Sequence, residues 1–251
     1  MASAAKPLVK LPNILFIDVK TVPEYPNLQA APPMYAAFWR DSYRKFDLPQ
    51  PPFASEEEEN KFFLKNAGTL PEFSRIVTVG LGYFTQKSDN LVLRCTAIEE
   101  PDEPKLLERL CKTLDKHGKD GRIYALCAHN GREFDYPFIA RRFLINNMPL
   151  PKSLSKLLAK PWDSPHIDTL EMWRFGARRG TASLPKLAWR LKIDHQLSQR
   201  ASNTETFLAW HLGKDVPPIS QYAIEDVILT AKLWLRLSST EIEQPIVVEK
   251  V

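Results

Sequence analysis

The feature that most limits how this chain can fold is the order of its apolar runs. ILFID at residues 14–18 reads as a strand that ends at Asp18, and its short, unbroken apolar run ILFI predicts a buried strand. RIVTVGLGYF (75–84) and NLVLRCTAI (90–98) are β-rich and joined by QKSD, which predicts a hairpin. Next, EPKLLERLCKTLDKHG sets Leu106, Leu107, Leu110 and Leu114 at helical spacing, with Gly118 as its stop. RIYALCAHN (122–130) reads as another strand and FDYPFIARRFLINNM (134–148) as a helix. Strand, strand pair, helix, strand, helix predicts an α/β fold, a mixed sheet flanked by helices. Beyond residue 150 the pattern is helical, near 152–160, 168–176, 184–191, 203–213 and 219–238.

With 251 residues, this pattern is accommodated by one domain over 13–238, a loose tail over 1–12 and a C-terminal tail over 239–251. Residues 23–72, rich in proline and aromatics, read as an insertion between strands, with helices near 34–46 and 56–66. Its Phe38, Trp39, Phe62 and Phe63 either recruit a partner or pack onto the core, and packing is the stronger expectation. Cys95, Cys111 and Cys127 have neither metal nor redox spacing and read as reduced structural thiols. The first residues lack the apolar stretch of a secretion signal, and no run is long enough to span a membrane. The expectation is a cytoplasmic protein with no membrane contact. A net charge of +4 permits a polyanionic partner without demanding one.

Three acids stand at the predicted ends of elements. Asp18 follows ILFI. Asp135 closes HNGREFD (129–135) and opens a helix. Asp226 lies four residues after Tyr222 in QYAIEDVILTAKLWLRL, which sets both on one helix face. Singly, each has an ordinary structural explanation as turn residue, helix cap or surface pair. Together they describe carboxylates that can meet at one edge of a sheet, where they repel one another unless cations neutralise them.

These stretches resemble the three motifs of the DEDD-superfamily 3′–5′ exonucleases with a tyrosine in the third motif. The branch most similar is the stand-alone domain resembling the proofreading exonuclease of family B DNA polymerases. HIDTLEMWRFG (166–176) and TASLPKLAWRLKI (181–193) also look like segments of that branch. The resemblance covers roughly 13–18 and 75–238 and implies a ribonuclease H-like fold. It implies two Mg²⁺ or Mn²⁺ ions held by Asp18, Asp135 and Asp226, hydrolysis of nucleic-acid 3′ ends (DNA first, RNA second), and Tyr222 orienting the attacking water. It further implies substrate contacts from Asn130. Phe134 is a second substrate-side candidate, although its expected position is inward. From the charge pattern, Arg178 and Arg179, in a glycine-flanked loop, are the candidates for contact with a single strand's backbone. Trp173 and Trp189 are expected in the core. His129 reads as a loop hydrogen-bonder.

One position departs from the pattern. The family has a metal-binding glutamate where this chain has Lys20, on the same face of the strand as Asp18. A protonated amine cannot ligate a cation. Glu24 is too far along to replace it. Two ions, one or none are therefore all compatible with the sequence. An impaired exonuclease and a catalytically silent binding or scaffold module remain in competition.

Overall fold

The computed structural model describes residues 13–43, 53–88, 90–117, 125–155, 164–178, 180–194, 207, 210–211, 219–240 and 246–251. β1 (Ile14–Pro23) is the central strand. Its alternate side chains enter two cores. Leu15, Ile17 and Val19 face one, and Ile14 and Phe16 face the other. The antiparallel hairpin β2 (Ser74–Lys87) and β3 (Asn90–Glu99) lies on one side of β1. Ser88 takes a left-handed φ of 54° in its turn. On the other side, β4 (Ala125–Ala128) runs parallel to β1, and β5 (Ile167–Asp168) runs parallel to β4. β6 (Val247–Lys250) pairs in parallel with β3, so the sheet order is β5-β4-β1-β2-β3-β6. The mixed sheet expected from the sequence is therefore present.

Two boundaries differ from that expectation. β1 does not end at Asp18. It continues to Pro23 through antiparallel pairing with β2, with a bulge between Lys20 and Thr21. Residues Val247–Lys250, read as part of a tail, form the edge strand β6. Four residues are too few to signal a strand by periodicity, and the pairing with β3 makes up the deficit.

Helices cover both faces. On the Leu15 face pack α3 (Glu103–His117), through Leu106, Leu107, Leu110 and Leu114, and α4 (Asp135–Ile145), through Phe138, Ile139 and Phe143. The inserted segment holds α1 (Pro33–Asp41), α2 (Glu56–Asn66) and a 3₁₀ turn at Ala67–Thr69. They share a separate aromatic core in which Trp39 and Phe63 are fully buried, Phe62 is half-buried and Phe38 stays exposed. Arg142 of α4 links this unit to the sheet. It pairs with Glu103, which in turn accepts the Ile76 N–H at 2.7 Å, and it donates to the Pro71 carbonyl at 2.7 Å. α5 (Lys152–Ser155) is the described part of the helix expected over 152–160. α6 (Thr169–Arg174) and α7 (Leu184–Arg190) follow. α8 (Ile219–Leu237) crosses the Phe16 face, where Val227, Ala231 and Trp234 meet Phe16, Leu93 and Cys95. The tail 1–12 and most of the helix expected over 203–213 lie outside the described residues. Among the described residues, no helix is long and apolar enough to cross a membrane.

The seat of α8 depends on two glycines of β2. A Cβ at Gly80 would lie 2.6 Å from the Ala223 carbonyl oxygen, and one at Gly82 would lie 2.6 Å from Val227 Cγ1. Backbone cannot yield as a flexible side chain can, so Gly80 is the stricter of the two. Gly80→Ala should destabilise the protein by roughly 1–3 kcal/mol, as overpacking does. Urea unfolding monitored by circular dichroism would reveal this as a lower midpoint, and an unchanged midpoint would show that α8 sits more loosely than the contact requires.

Candidate functional site

The site forms where β1 runs past its neighbour. β4 pairs with β1 only over Ile14–Phe16, so the later backbone of β1 is open on that side. The Val19 N–H there donates to Asp135 Oδ1 at 3.0 Å. Asp135 is in place because the chain turns sharply after β4. Asn130 adopts a left-handed φ of 64°, and a Cβ at Gly131 would fall 2.6 Å from Ala128 Cβ and 2.7 Å from the Tyr136 ring. α4 then begins at Asp135 itself.

Asp168 fixes this turn. Its carboxylate accepts the N–H groups of Asn130 (2.9 Å) and Arg132 (3.1 Å), and it caps α6 through the Leu170 N–H (2.8 Å). Sequence pattern alone gives Asp168 no task in the site. Its signal is present as Asp-Thr-Leu-Glu, an acid three residues before Glu171 at a helix start. His129 adds a second brace. Nε2 lies 2.8 Å from the Ala182 carbonyl and Nδ1 lies 2.9 Å from Thr169 Oγ1. A carbonyl only accepts, so Nε2 carries the proton and Nδ1 is left to accept from the hydroxyl. Burial, the largest influence, lowers the His129 pKa and favours that neutral ring.

Asp226 reaches the same place from α8. Lys20 Nζ lies 2.8 Å from Asp18 Oδ2 and 2.6 Å from Asp226 Oδ2. Lys20 therefore bridges Asp18 and Asp226, and Asp135, bound to the adjacent Val19 N–H, lies close enough to feel the charges of Asp18 and Lys20. Burial alone would push Lys20 toward neutrality, but the charges of Asp18 and Asp226, with hydrogen bonds to both, outweigh it and raise its pKa above the ordinary lysine value. Burial, and then the charge of Asp18, raise the Asp135 carboxyl well above the usual range, against the pull of the Val19 N–H and Lys20. Tyr222 is buried on α8 one helical turn before Asp226.

The remaining candidates sit differently. The Phe134 ring is half-buried and meets Phe138 at 5.2 Å against the sheet core. Asn130 lies in the turn just described. Arg178 is exposed beyond α6, and Arg179 lies outside the described residues. Glu24 does not replace the family's glutamate, since it is 3.7 Å from Arg142. Trp173 is half-buried beside α7 as expected, but Trp189 is not a core residue and is 74% exposed. The reason is helical phase. Leu184, Leu187 and Ala188 take the inward face of α7, and Trp189 falls outside it.

These donors do not fit a two-ion centre as folded. The position that would add a fourth carboxylate carries a cation, and that cation already engages two of the three acids. Among the described residues, no group of three or more His, Cys, Asp or Glu side chains is arranged to hold a metal ion.

Replacing Lys20 with methionine should lower stability at neutral pH by about 2–3 kcal/mol. That is somewhat below the cost of breaking a fully buried pair, because about a fifth of the Lys20 side chain is exposed. The deficit should narrow in acid as a carboxylate protonates. Because the Lys20 pKa is raised on folding, its contribution is complete below the ordinary lysine value of 10.5 and is lost as pH climbs from there toward the folded value. Urea titrations across the alkaline range should show this loss in the wild type and not in Lys20→Met. Equal stability of the two proteins at neutral pH would mean that the ammonium does not neutralise the acids.

The RNase_H superfamily matches residues 66–237 of the chain. No curated protein matches it. The fold is similar to that of the family B DNA polymerase from the hyperthermophilic archaeon Pyrobaculum calidifontis, with a TM-score of 0.50 and 13% identity. That similarity covers 90% of this chain and 24% of the polymerase chain, and at such identity it is a likeness of fold. With more than half of its length matched, the chain belongs to the RNase_H superfamily.

Proposed function

We propose that this protein binds single-stranded nucleic-acid 3′ ends, DNA before RNA, on the exonuclease form of its fold, with hydrolysis held down by Lys20. The observation that carries this reading is the Lys20 ammonium between Asp18 and Asp226, at 2.8 and 2.6 Å. RNase H-like nucleases generally use divalent metals. Here the amine has no free lone pair to offer one. At about 4 Å and an effective dielectric constant near 20, a unit charge repels another by about 4 kcal/mol, and a divalent ion by twice that. Only displacement of Lys20 would remove the opposition.

A second reading is a metal-dependent 3′–5′ exonuclease of low activity. It is favoured by the meeting of Asp18, Asp135 and Asp226, with Tyr222 one turn before Asp226. In that reading the three aspartates are the ligands for Mg²⁺ or Mn²⁺.

A 5′-labelled single strand incubated with Mn²⁺ separates the two. The first reading expects wild-type protein to bind the strand without shortening it and to give no Mn²⁺ heat by calorimetry. Lys20→Glu should bind Mn²⁺ and shorten the strand stepwise, and adding Asp226→Ala should abolish this. Stepwise shortening by the wild type, lost in Asp226→Ala, would establish the second reading. Failure of the wild type to bind any strand at low salt would remove the first.

A further inference from the structure

From Phe175 to Ile193 the sequence carries five cations and no acid. Arg178, Lys186, Arg190 and Lys192 are all exposed, and none forms an ion pair with another described residue. Among them Trp189 is 74% exposed and Phe175 is 84% exposed. Large aromatics left in water forgo the burial that ordinarily stabilises a fold. Phe175 ends α6 with a left-handed φ of 46°, a conformation that glycine adopts freely and a bulky residue adopts only under strain. The inward face of α7 is already satisfied by Leu229 and Leu233 of α8, so the outward ring has no packing task within the described fold.

This surface is coupled to the site. α7 rests on the helix that carries Asp226. The Ala182 carbonyl, just before α7, accepts from His129 at 2.8 Å, next to the turn that delivers Asp135. We propose that the exposed surface running from the end of α6 through α7 is a platform for the bases of single-stranded nucleic acid. Trp189 and Phe175 supply rings for stacking, and Arg178, Lys186, Arg190 and Lys192 supply charge for the phosphates. The inference rests on the nucleic-acid reading above and adds where the strand lies and how it is held. A run of cations without an acid favours a polyanion over a protein surface of mixed charge. Exposed rings among those cations favour a strand with unpaired bases, whose flat faces are free to stack.

Fluorescence anisotropy with labelled oligothymidylate, oligouridylate and an abasic strand of equal length tests it. Wild-type protein should bind at least one of the two base-bearing strands more tightly than the abasic strand. Trp189→Ala should weaken that binding roughly tenfold and leave the abasic affinity unchanged, while Trp189→Phe should keep most of it. Lys186→Gln with Arg190→Gln should weaken all strands alike and flatten the salt dependence by about 0.7 for each phosphate no longer neutralised. If Trp189→Ala binds as the wild type does, or the wild type does not distinguish the abasic strand, the platform is wrong and the nucleic-acid reading survives. If the wild type binds none of the three strands at low salt, that reading fails first.

Discussion

Mutual repulsion among three carboxylates governs this end of the molecule. Asp18 is held by β1, Asp135 by the turn after β4 and Asp226 by a helix on the opposite face. Each arrives through backbone features with no freedom to retreat: a strand that outruns its neighbour, a turn closed by a glycine, and a helix pressed onto two glycines of β2. Acids brought together in this way must be neutralised, protonated or paired. Among the described residues, pairing and a shift toward the neutral form are both in use. Lys20 pairs with Asp18 and Asp226, and Asp135 is held toward its neutral form while accepting a backbone N–H.

This arrangement makes the site less acidic than its residue list suggests. Lys20 offsets charge on Asp18 and Asp226, and burial together with the charge of Asp18 favours the neutral form of Asp135. The positive charge that a polyanion requires lies instead on the neighbouring surface after α6. The chemistry of the cluster and the capacity to hold a strand are therefore carried by different elements, linked by His129 and by the packing of α7 on α8.

Much of the fold was legible in local pattern. ILFI announced a strand buried on both faces because both of its faces are apolar. Leu106, Leu107, Leu110 and Leu114 announced α3 because one stripe alone needed cover. Asp18, Asp135, Tyr222 and Asp226 stand out in the sequence by their positions relative to those elements. What local pattern could not supply was pairing. The extension of β1 beyond Asp18 depends on β2, and β6 depends on β3, so neither is encoded in its own four or five residues. The signal at Asp168 is that of a cap, and it looks the same whether it serves one helix or also braces a distant turn. Trp189 suits a core by residue type, but its phase relative to Leu184 and Leu187 turns it outward.

Lys20 separates two properties that usually travel together in such a site. Convergence of the acids is a requirement of folding, since each is placed by backbone that the core needs for other reasons. Metal binding is a requirement of chemistry and depends on what fills the space between them. An ammonium on a four-carbon stem meets the first requirement with one charge and three donors, and it has no lone pair to offer the second. On the proposed function, the acids of an exonuclease-type site keep their places while an ammonium stands where the family has a carboxylate, because the sheet, the glycines and the capped turn continue to hold them.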